Sequence, residues 1–357
     1  MYVLTQKSND IKKQRTVSQK MASTITVTEA LQASNTILFD TRSPKEFAED
    51  HLPNSINVPI LNNEERAIVG TLYKQVSQDV AIEKGMEFFG KNLPSIINAA
   101  NQHKDKTMII YCWRGGLRSK TVTSLLESLN YKVLQLEGGY KAYRAYVKWQ
   151  LDKYVLKPKL IVLYGRTGTG KTLLLKGFHN SIDLEALAGH RGSMYGGIGM
   201  AQNTQKKFEN LLLQELERLK DEKCIFVEGE SKRIGNVFVP ESFFNAMEDG
   251  IKISVECSMA KRVELSAKEY CNTEEKINDF KEITKTIRQK LSNNIKQEII
   301  ALLEERNIEK ALTLLFSEYY DPQYDYYLKN LKYDLIVNND DSEKTLSEIT
   351  EFVEKKI

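Results

Sequence analysis

The sequence predicts two α/β blocks in series, each a parallel sheet with helices on its faces. Three observations carry that prediction. Short apolar strands alternate with helical stretches along most of the chain, as in repeated strand–crossover–strand units. One strand runs into the loop Tyr111-Cys112-Trp113-Arg114-Gly115-Gly116-Leu117-Arg118-Ser119, and a helix follows. Another runs into Gly165-Arg166-Thr167-Gly168-Thr169-Gly170-Lys171-Thr172, again ahead of a helix. Both loops suit anions, and one has a thiol at its base.

The elements follow in order. Residues 1–23 read as a polar N-terminal extension, 24–150 as the first block, and 151–357 as the second block with a helical C-terminal region. In the first block, strands are expected at Thr36–Asp40, Met108–Cys112 and Lys132–Leu136. A helix is expected over 119–129, where Val122, Leu125, Leu126 and Leu129 recur at helical spacing. In the second block, Leu160–Tyr164 feeds the glycine loop and a helix is expected from Leu173 onward. Ile225–Glu228 and Ile251–Cys257 are further strands, and Glu274–Leu315 reads as long, charged and helical.

Composition bounds the function. The chain has 357 residues, 41% of them hydrophobic and 28% charged, which is ordinary for a soluble two-domain protein. No apolar run is long enough to span a bilayer, so no membrane partner is expected. Met1–Lys20 lacks the apolar core of a secretory signal, which implies a cytoplasmic location. The four cysteines, Cys112, Cys224, Cys257 and Cys271, show no C-x-x-C pairing, which argues against zinc and against a disulfide framework. Cys224 and Cys257 border apolar runs and read as small buried residues. A net charge of +3 does not establish nucleic-acid binding, but it permits a local basic face.

A cysteine between a strand and a helix N-terminus sits under converging backbone N–H groups and positive potential. With Arg114 and Arg118 beside it, this setting favours a nucleophilic thiolate. The loop resembles that of the rhodanese family. So do Phe39-Asp40-Thr41-Arg42-Ser43-Pro44-Lys45-Glu46-Phe47 and His51-Leu52-Pro53-Asn54-Ser55-Ile56-Asn57-Val58-Pro59. The resemblance implies a cysteine that carries a transferable chalcogen, with Asp40 and Arg42 as a structural charge pair. Five residues separate Cys112 from Arg118. That is longer than many sulfur-transferring rhodanese loops and equals the spacing of cysteine-dependent phosphatases. Loop size alone leaves both chemistries open.

Gly165 to Thr172 satisfies the P-loop pattern and lies between strand and helix. Gly165, Gly168 and Gly170 let backbone N–H groups face a phosphate chain, Lys171 adds charge, and Thr172 can hold Mg²⁺ or a phosphate oxygen. A nucleoside triphosphatase places an Asp after a later strand. Here that strand ends Glu228-Gly229-Glu230, so Glu228 or Glu230 would have to take the place of that Asp, with Glu228 the candidate Mg²⁺ ligand beside Thr172, and a different diphosphate would suit the same cradle.

The two blocks together resemble bacterial tRNA 2-selenouridine synthases over roughly Val27–Tyr327. The segments Glu65–Lys74, Glu137–Arg144, His190–Ser193, Glu230–Gly235 and Tyr319–Tyr324 share in the likeness. The fold class it implies is an N-terminal rhodanese-like parallel-sheet domain followed by a P-loop NTPase-like α/β domain. The resemblance implies a two-step reaction on the wobble 2-thiouridine of tRNA. Geranyl diphosphate first alkylates the sulfur, giving S-geranyl-2-thiouridine. Selenium from selenophosphate, supplied free or by its synthase, then replaces the geranylated sulfur. On this reading Cys112 forms an S-selanylcysteine intermediate, Arg114 and Arg118 attend it, and Gly165, Gly168, Gly170, Lys171 and Thr172 hold the diphosphate. Two rivals stand beside it: a persulfide sulfurtransferase fused to an ATP-dependent kinase-like domain, and a phosphatase using Cys112 and Arg118.

Other residues carry weaker expectations. His190, Arg191, Ser193, Lys232 and Arg233 are candidates to touch diphosphate or tRNA phosphates. Arg66, Tyr73, Lys74, Tyr140 and Arg144 are candidates to line the cysteine site, with packing expected for the two tyrosines. Tyr319, Tyr320 and Tyr324 are expected to pack, with base stacking as the rival role. Lys281, Lys285, Arg288 and Lys290 read as solvated charge that tRNA can meet.

Overall fold

The structure, a computed structural model, describes residues 23–287 and 290–357, with 325–327 described for their backbone only. The N-terminal extension up to residue 22, and Arg288, lie outside the described residues. The chain divides into two compact units. One runs up to Phe47 and includes Leu52–Ala142; the other comprises Ala48–His51 and Tyr143–Ile357. None of the described helices is long and apolar enough to cross a membrane.

In the first unit, β1 (Thr24–Ile25), β2 (Thr36–Asp40), β3 (Ser55–Asn57), β4 (Thr107–Tyr111) and β5 (Val133–Leu136) form one sheet in the order β1-β5-β4-β2-β3. Every pairing is parallel. Around it lie α1 (Val27–Gln32), α2 (Pro44–Glu49), α3 (Asn63–Gln75), α4 (Gln78–Asn101), α5 (Leu117–Ser128) and the start of α6 (Gly139–Lys153). β4 is central and fully buried from Met108 to Tyr111, as a parallel strand covered on both faces requires. Its side chains pack with Phe39, Phe88, Ile96, Val122 and Leu126. Two expected boundaries shift. The strand stops at Tyr111, so Cys112 begins the loop, and the helix starts at Leu117 rather than 119. Gly116 is its N-cap, so Leu117 and Arg118 already belong to the first turn. The α3–α4 pair was not read from the sequence. Asn62 and Glu65 form a capping box for α3, and Ser77 caps α4.

The second unit holds β6 (Lys159–Tyr164), β7 (Ser181–Ile182), β8 (Cys224–Glu228), a hairpin of β9 (Arg233–Ile234) and β10 (Val237–Phe238), β11 (Ile251–Glu256) and β12 (Leu335–Asn338). Its main sheet runs β12-β11-β6-β8-β7, again all parallel. The helices are α7 (Lys171–Leu175), α8 (Leu184–Ala188), α9 (Gln205–Arg218), α10 (Glu241–Glu248), α11 (Met259–Tyr270), α12 (Glu274–Thr286), α13 (Asn293–Glu304), α14 (Ile308–Leu315), α15 (Asp321–Leu328) and α16 (Ser342–Lys356), with a π-helical turn at Phe316–Tyr320.

Two expectations are corrected here. The helix after the glycine loop starts at Lys171, two residues before the expected Leu173, and is short, ending at Leu175; beyond it Phe178 stacks on Phe226 at 3.8 Å. The long helical stretch is three helices, restarted by the N-caps Ser292 and Asn307. These helices bury an aromatic core in which Tyr195 stacks on Phe280 at 4.0 Å, with Phe316 and Tyr320 alongside.

Candidate active sites: a thiol loop and a phosphate loop

β4 delivers Cys112 to the head of α5, where it is 3% exposed. Its Sγ lies 3.2 Å from Ser119 Oγ. The Gln135 amide donates to Gly115 O at 2.8 Å and to Ser119 Oγ at 3.0 Å, fixing both loop and hydroxyl. Gly139 has φ +58°, and a Cβ there would stand 2.3 Å from the Cys112 carbonyl oxygen. Only glycine lets the following segment approach this closely, which explains the Gly138-Gly139 pair. The Tyr140 N–H then donates to that same carbonyl at 2.8 Å.

The loop before Cys112 is braced from below. Arg42, 1% exposed, meets Asp40 at 2.6 Å and lies 3.9 Å from the Tyr140 ring. Thr41 donates to the Tyr111 carbonyl through its N–H and its hydroxyl. The pair thus fixes the strand ends, as a structural pair should. Tyr140 packs, 1% exposed, but Tyr73 is 59% exposed, so the packing expected for it is corrected: it lies mostly open at the cavity beside Cys112. Arg144 pairs with Glu209 and donates to the Lys206 carbonyl.

Arg118 donates to Glu46 at 2.8 Å, and Arg66 approaches the same carboxylate at 3.6 Å. Burial pushes the Glu46 carboxyl up, yet these guanidiniums, Arg118 foremost, hold it below the usual range. Sequence reasoning quoted Glu46 without giving it a role. Arg114 is exposed and makes no ion pair among the described residues. A cavity of about 890 Å³ opens beside Cys112, reached by Arg66, Tyr73, Lys74, Arg114 and Arg118. The other three thiols are held towards their protonated form. Burial pushes Cys224 up, and Cys257 and Cys271 to about 11.

In the second unit, β6 ends in the glycine loop and Gly170 caps α7 with φ +81°. A Cβ at Gly170 would stand 2.7 Å from Asn339 Nδ2, which itself donates to the Thr169 carbonyl at 2.8 Å. Arg262, 3% exposed, donates to the Thr167 carbonyl at 3.0 Å and grips Asp321 at 2.7 and 2.9 Å. Lys171 Nζ donates to the Gly165 and Arg166 carbonyls at 2.9 and 3.3 Å.

Three carboxylates surround Lys171 and Thr172. Glu228, 1% exposed, accepts the Glu185 N–H at 3.1 Å, and its other oxygen has no hydrogen-bond partner among the described residues. Burial first, then the neighbouring carboxylates, push Glu228 up and Glu185 to about 8; burial also pushes Glu230 up. Thr172 Oγ1 lies 3.4 Å from Glu185 Oε2. No group of three His, Cys, Asp or Glu among the described residues is arranged to hold a metal. Thr172 and Glu185 fit Mg²⁺ as two oxygen donors that leave other positions to phosphate and water. Glu228 reaches the site by holding Glu185. Sequence reasoning missed Glu185, which no motif marks.

The remaining candidates separate. His190, Ser193 and Arg233 share a cavity of about 650 Å³ with Tyr319, Tyr320 and Tyr324. His190 Nδ1 is buried without a hydrogen-bond partner among the described residues, and Tyr324 OH lies 3.2 Å from Thr167 Oγ1 of the phosphate loop. The tyrosines both pack and face this space. Arg191 instead bonds Glu269 at 2.6 Å and the Ile198 carbonyl at 2.9 Å. Lys232, just before the β9–β10 hairpin, and Arg233, the first residue of β9, are both exposed.

Comparison with known proteins agrees with this arrangement. Residues 24–146 match the family model described as a rhodanese-like domain, and 158–356 match the tRNA 2-selenouridine synthase AAA domain. The tRNA 2-selenouridine synthase of Sulfurovum sp. is 32% identical over 328 residues, covering 83% of this chain and 90% of that protein. That of Hydrogenovibrio crunogenus is 32% identical over 354 residues, covering 90% and 97%. That of Nitrosomonas europaea is 38% identical over 255 residues, covering 68% and 66%. With a family model over more than half its length and relatives of this identity and coverage, the chain belongs to the tRNA 2-selenouridine synthase family.

Proposed function

We propose that this enzyme converts wobble 2-thiouridine in tRNA to 2-selenouridine through S-geranyl-2-thiouridine, with geranyl diphosphate and selenophosphate as co-substrates. The observation that carries it is the pairing, in one chain, of a thiol-bearing loop with a phosphate loop lacking the usual Asp. The two loops suit two different steps. A thiocarbonyl sulfur is a poor leaving group, whereas an alkylated sulfur departs as a thiol. The glycine loop and Lys171 hold the diphosphate and stabilise its charge as the C–O bond breaks and the S–C bond forms. The alkylated base loses its N3 proton in that step. Thr172 and Glu185 would be the protein oxygens that hold Mg²⁺, which would supply positive charge beside the diphosphate. The N–H groups and arginines of the Cys112 loop receive the selenophosphate anion, with the thiol beside its selenium. Selenium adds to C2, the C2–S bond breaks and geranyl thiol leaves with a proton. Water then cleaves the Se–P bond to release phosphate. His190, Ser193 and the tyrosines beside the glycine loop supply polar edges and stacking faces for the acceptor base.

The test is a pair of variants given thiolated tRNA, geranyl diphosphate and selenophosphate. Cys112→Ala accumulates S-geranyl-2-thiouridine and makes no 2-selenouridine. Lys171→Ala makes neither from thiolated tRNA. Full selenation by Cys112→Ala overturns the role given to the thiol. ATP turnover that requires Lys171 favours the kinase-like alternative, and cleavage of a generic phosphomonoester that requires Cys112 favours the phosphatase.

A further inference from the structure

The segment Glu65–Lys74 was singled out in the sequence, and neither loop accounts for it. In the structure it forms most of α3, a 13-residue helix with no buried residue. Its Val69 packs at the edge of the core, but most of its surface stays open, so core packing alone does not account for the helix. Large apolar side chains gather in exposed positions near it: Ile68 at 46%, Tyr73 at 59%, Val76 at 63% and Met86 at 48%, with Leu117 at 56% across the cysteine loop. Scattered apolar residues are ordinary, but a patch of this kind marks a binding surface.

The patch is concave and ends at the thiol. Val69, Ile82, Met86 and Leu117 line the 890 Å³ cavity that also contains Cys112, a volume within the roughly 300–1,000 Å³ usual for small-molecule sites. The passage between thiol and apolar wall is open. A side chain at Gly116 would meet nothing within 4 Å, and one at Gly85 nothing nearer than 3.9 Å. The rim is basic: Lys74 and Arg114 are exposed and make no ion pair among the described residues. An apolar trough with a thiol at one end and cations at its rim fits a ligand with an alkyl chain, a reacting centre and phosphates.

We propose that this groove holds the prenyl chain of the S-alkylated nucleoside, so that the cysteine site accepts alkylated tRNA and rejects tRNA with a bare thiocarbonyl. The inference rests on the two-step reading above and adds a recognition element to its second step. The chain lies along Val69, Ile82 and Met86, the alkylated sulfur and C2 lie at Cys112, and flanking phosphates meet Lys74 and Arg114. The departing prenyl thiol is sheltered from water in the same trough. α3 and α4 therefore act as specificity elements.

The experiment uses the full chain and anticodon stem-loop RNAs bearing S-geranyl-, S-methyl- or unmodified 2-thiouridine at the wobble position. The wild type is expected to bind the geranyl RNA at least about tenfold more tightly than the methyl RNA, since each buried methylene is worth roughly fourfold. Met86→Glu, at a half-exposed position, erases that preference and raises KM for selenation of geranyl RNA. Its rate of geranylating 2-thiouridine RNA stays unchanged. Ile68→Glu, exposed outside the cavity, alters none of these. Equal wild-type affinity for geranyl and methyl RNA overturns the inference. So does a Met86→Glu change in self-association that leaves the geranyl preference intact, which would assign the groove to a second copy of the chain. If the wild type selenates no geranyl RNA, the two-step reading falls, while the binding comparison still judges the groove.

Discussion

The thiol loop and the phosphate loop are braced alike but lined by different titratable groups. Arg42 on Asp40 supports the first, and Arg262 on Asp321, with a bond to the Thr167 carbonyl, supports the second. In front of the thiol stand Arg66, Lys74, Arg114 and Arg118, with Glu46 bridging two of them. In front of the glycine loop one lysine stands among Glu185, Glu228 and Glu230, carboxyls that burial keeps protonated beyond the usual range. The first site is ready for a small, highly charged anion. The second tolerates its carboxylates by holding protons, and a diphosphate brings charge that protons or Mg²⁺ must balance.

The bracing is the first thing to break. Asp40→Asn leaves a buried guanidinium without its counter-charge and should cost about 3–5 kcal/mol in denaturant unfolding. Asp321→Asn should cost less, because its carboxylate is 16% exposed against 0% for Asp40. Equal losses, or an Asp40→Asn loss under about 1 kcal/mol, would show that the pair does not brace the thiol loop.

Arg118 and Lys171 test whether the charges serve separate steps. Arg118→Ala is expected to slow selenation of geranyl RNA by about 10²–10³, the usual cost of one anion-stabilising donor, while geranylation is spared. Lys171→Ala should do the reverse. Single-turnover assays of each half-reaction read the difference, and a variant that slows both steps equally erases the division.

The carboxylates make a pH prediction that the thiol site does not share. Glu185 is protonated below about 8 and ionised above it. Without Mg²⁺, diphosphate affinity should therefore weaken as pH rises through that value, by up to about tenfold per unit, and Glu185→Gln should flatten the profile. The raised value also means that the native state loses stability as pH climbs from about 4.5 towards 8, because the folded form holds the proton longer. Titration calorimetry and pH-dependent melting check the two slopes, and identical slopes in the variant would contradict the role of Glu185.

The smallest effect is at the surface. Lys232→Ala and Arg233→Ala should each weaken tRNA binding a few-fold and lower the salt slope by about one, as loss of one phosphate contact does. An unchanged slope would leave those residues as solvated charge.

Much of this was legible in the sequence because it is local. β2, β4, β6 and β8 are apolar runs flanked by loops, and the thiol and glycine loops lie within contiguous residues. What escaped depends on tertiary approach. Glu46 reaches Arg118 across 72 positions, and Glu185 meets the β8 carboxylate across 43, so no spacing announces either. Beyond the early end of α7, Phe178 stacks on Phe226, which helical periodicity cannot register. α3 was not read from the sequence, and only the structure shows that Ile68 and Tyr73 stay exposed while Val69 reaches the edge of the core.

The division of labour can be tested by transfer of the intermediate. Thiolated stem-loop RNA is treated with Cys112→Ala and geranyl diphosphate, purified, and given to Lys171→Ala with selenophosphate. Nucleoside mass spectrometry should find S-geranyl-2-thiouridine after the first incubation and 2-selenouridine after the second, though neither variant alone completes the conversion. Geranylated RNA that Lys171→Ala leaves unchanged would contradict the account, because the thiol site would then depend on the phosphate loop for its own step.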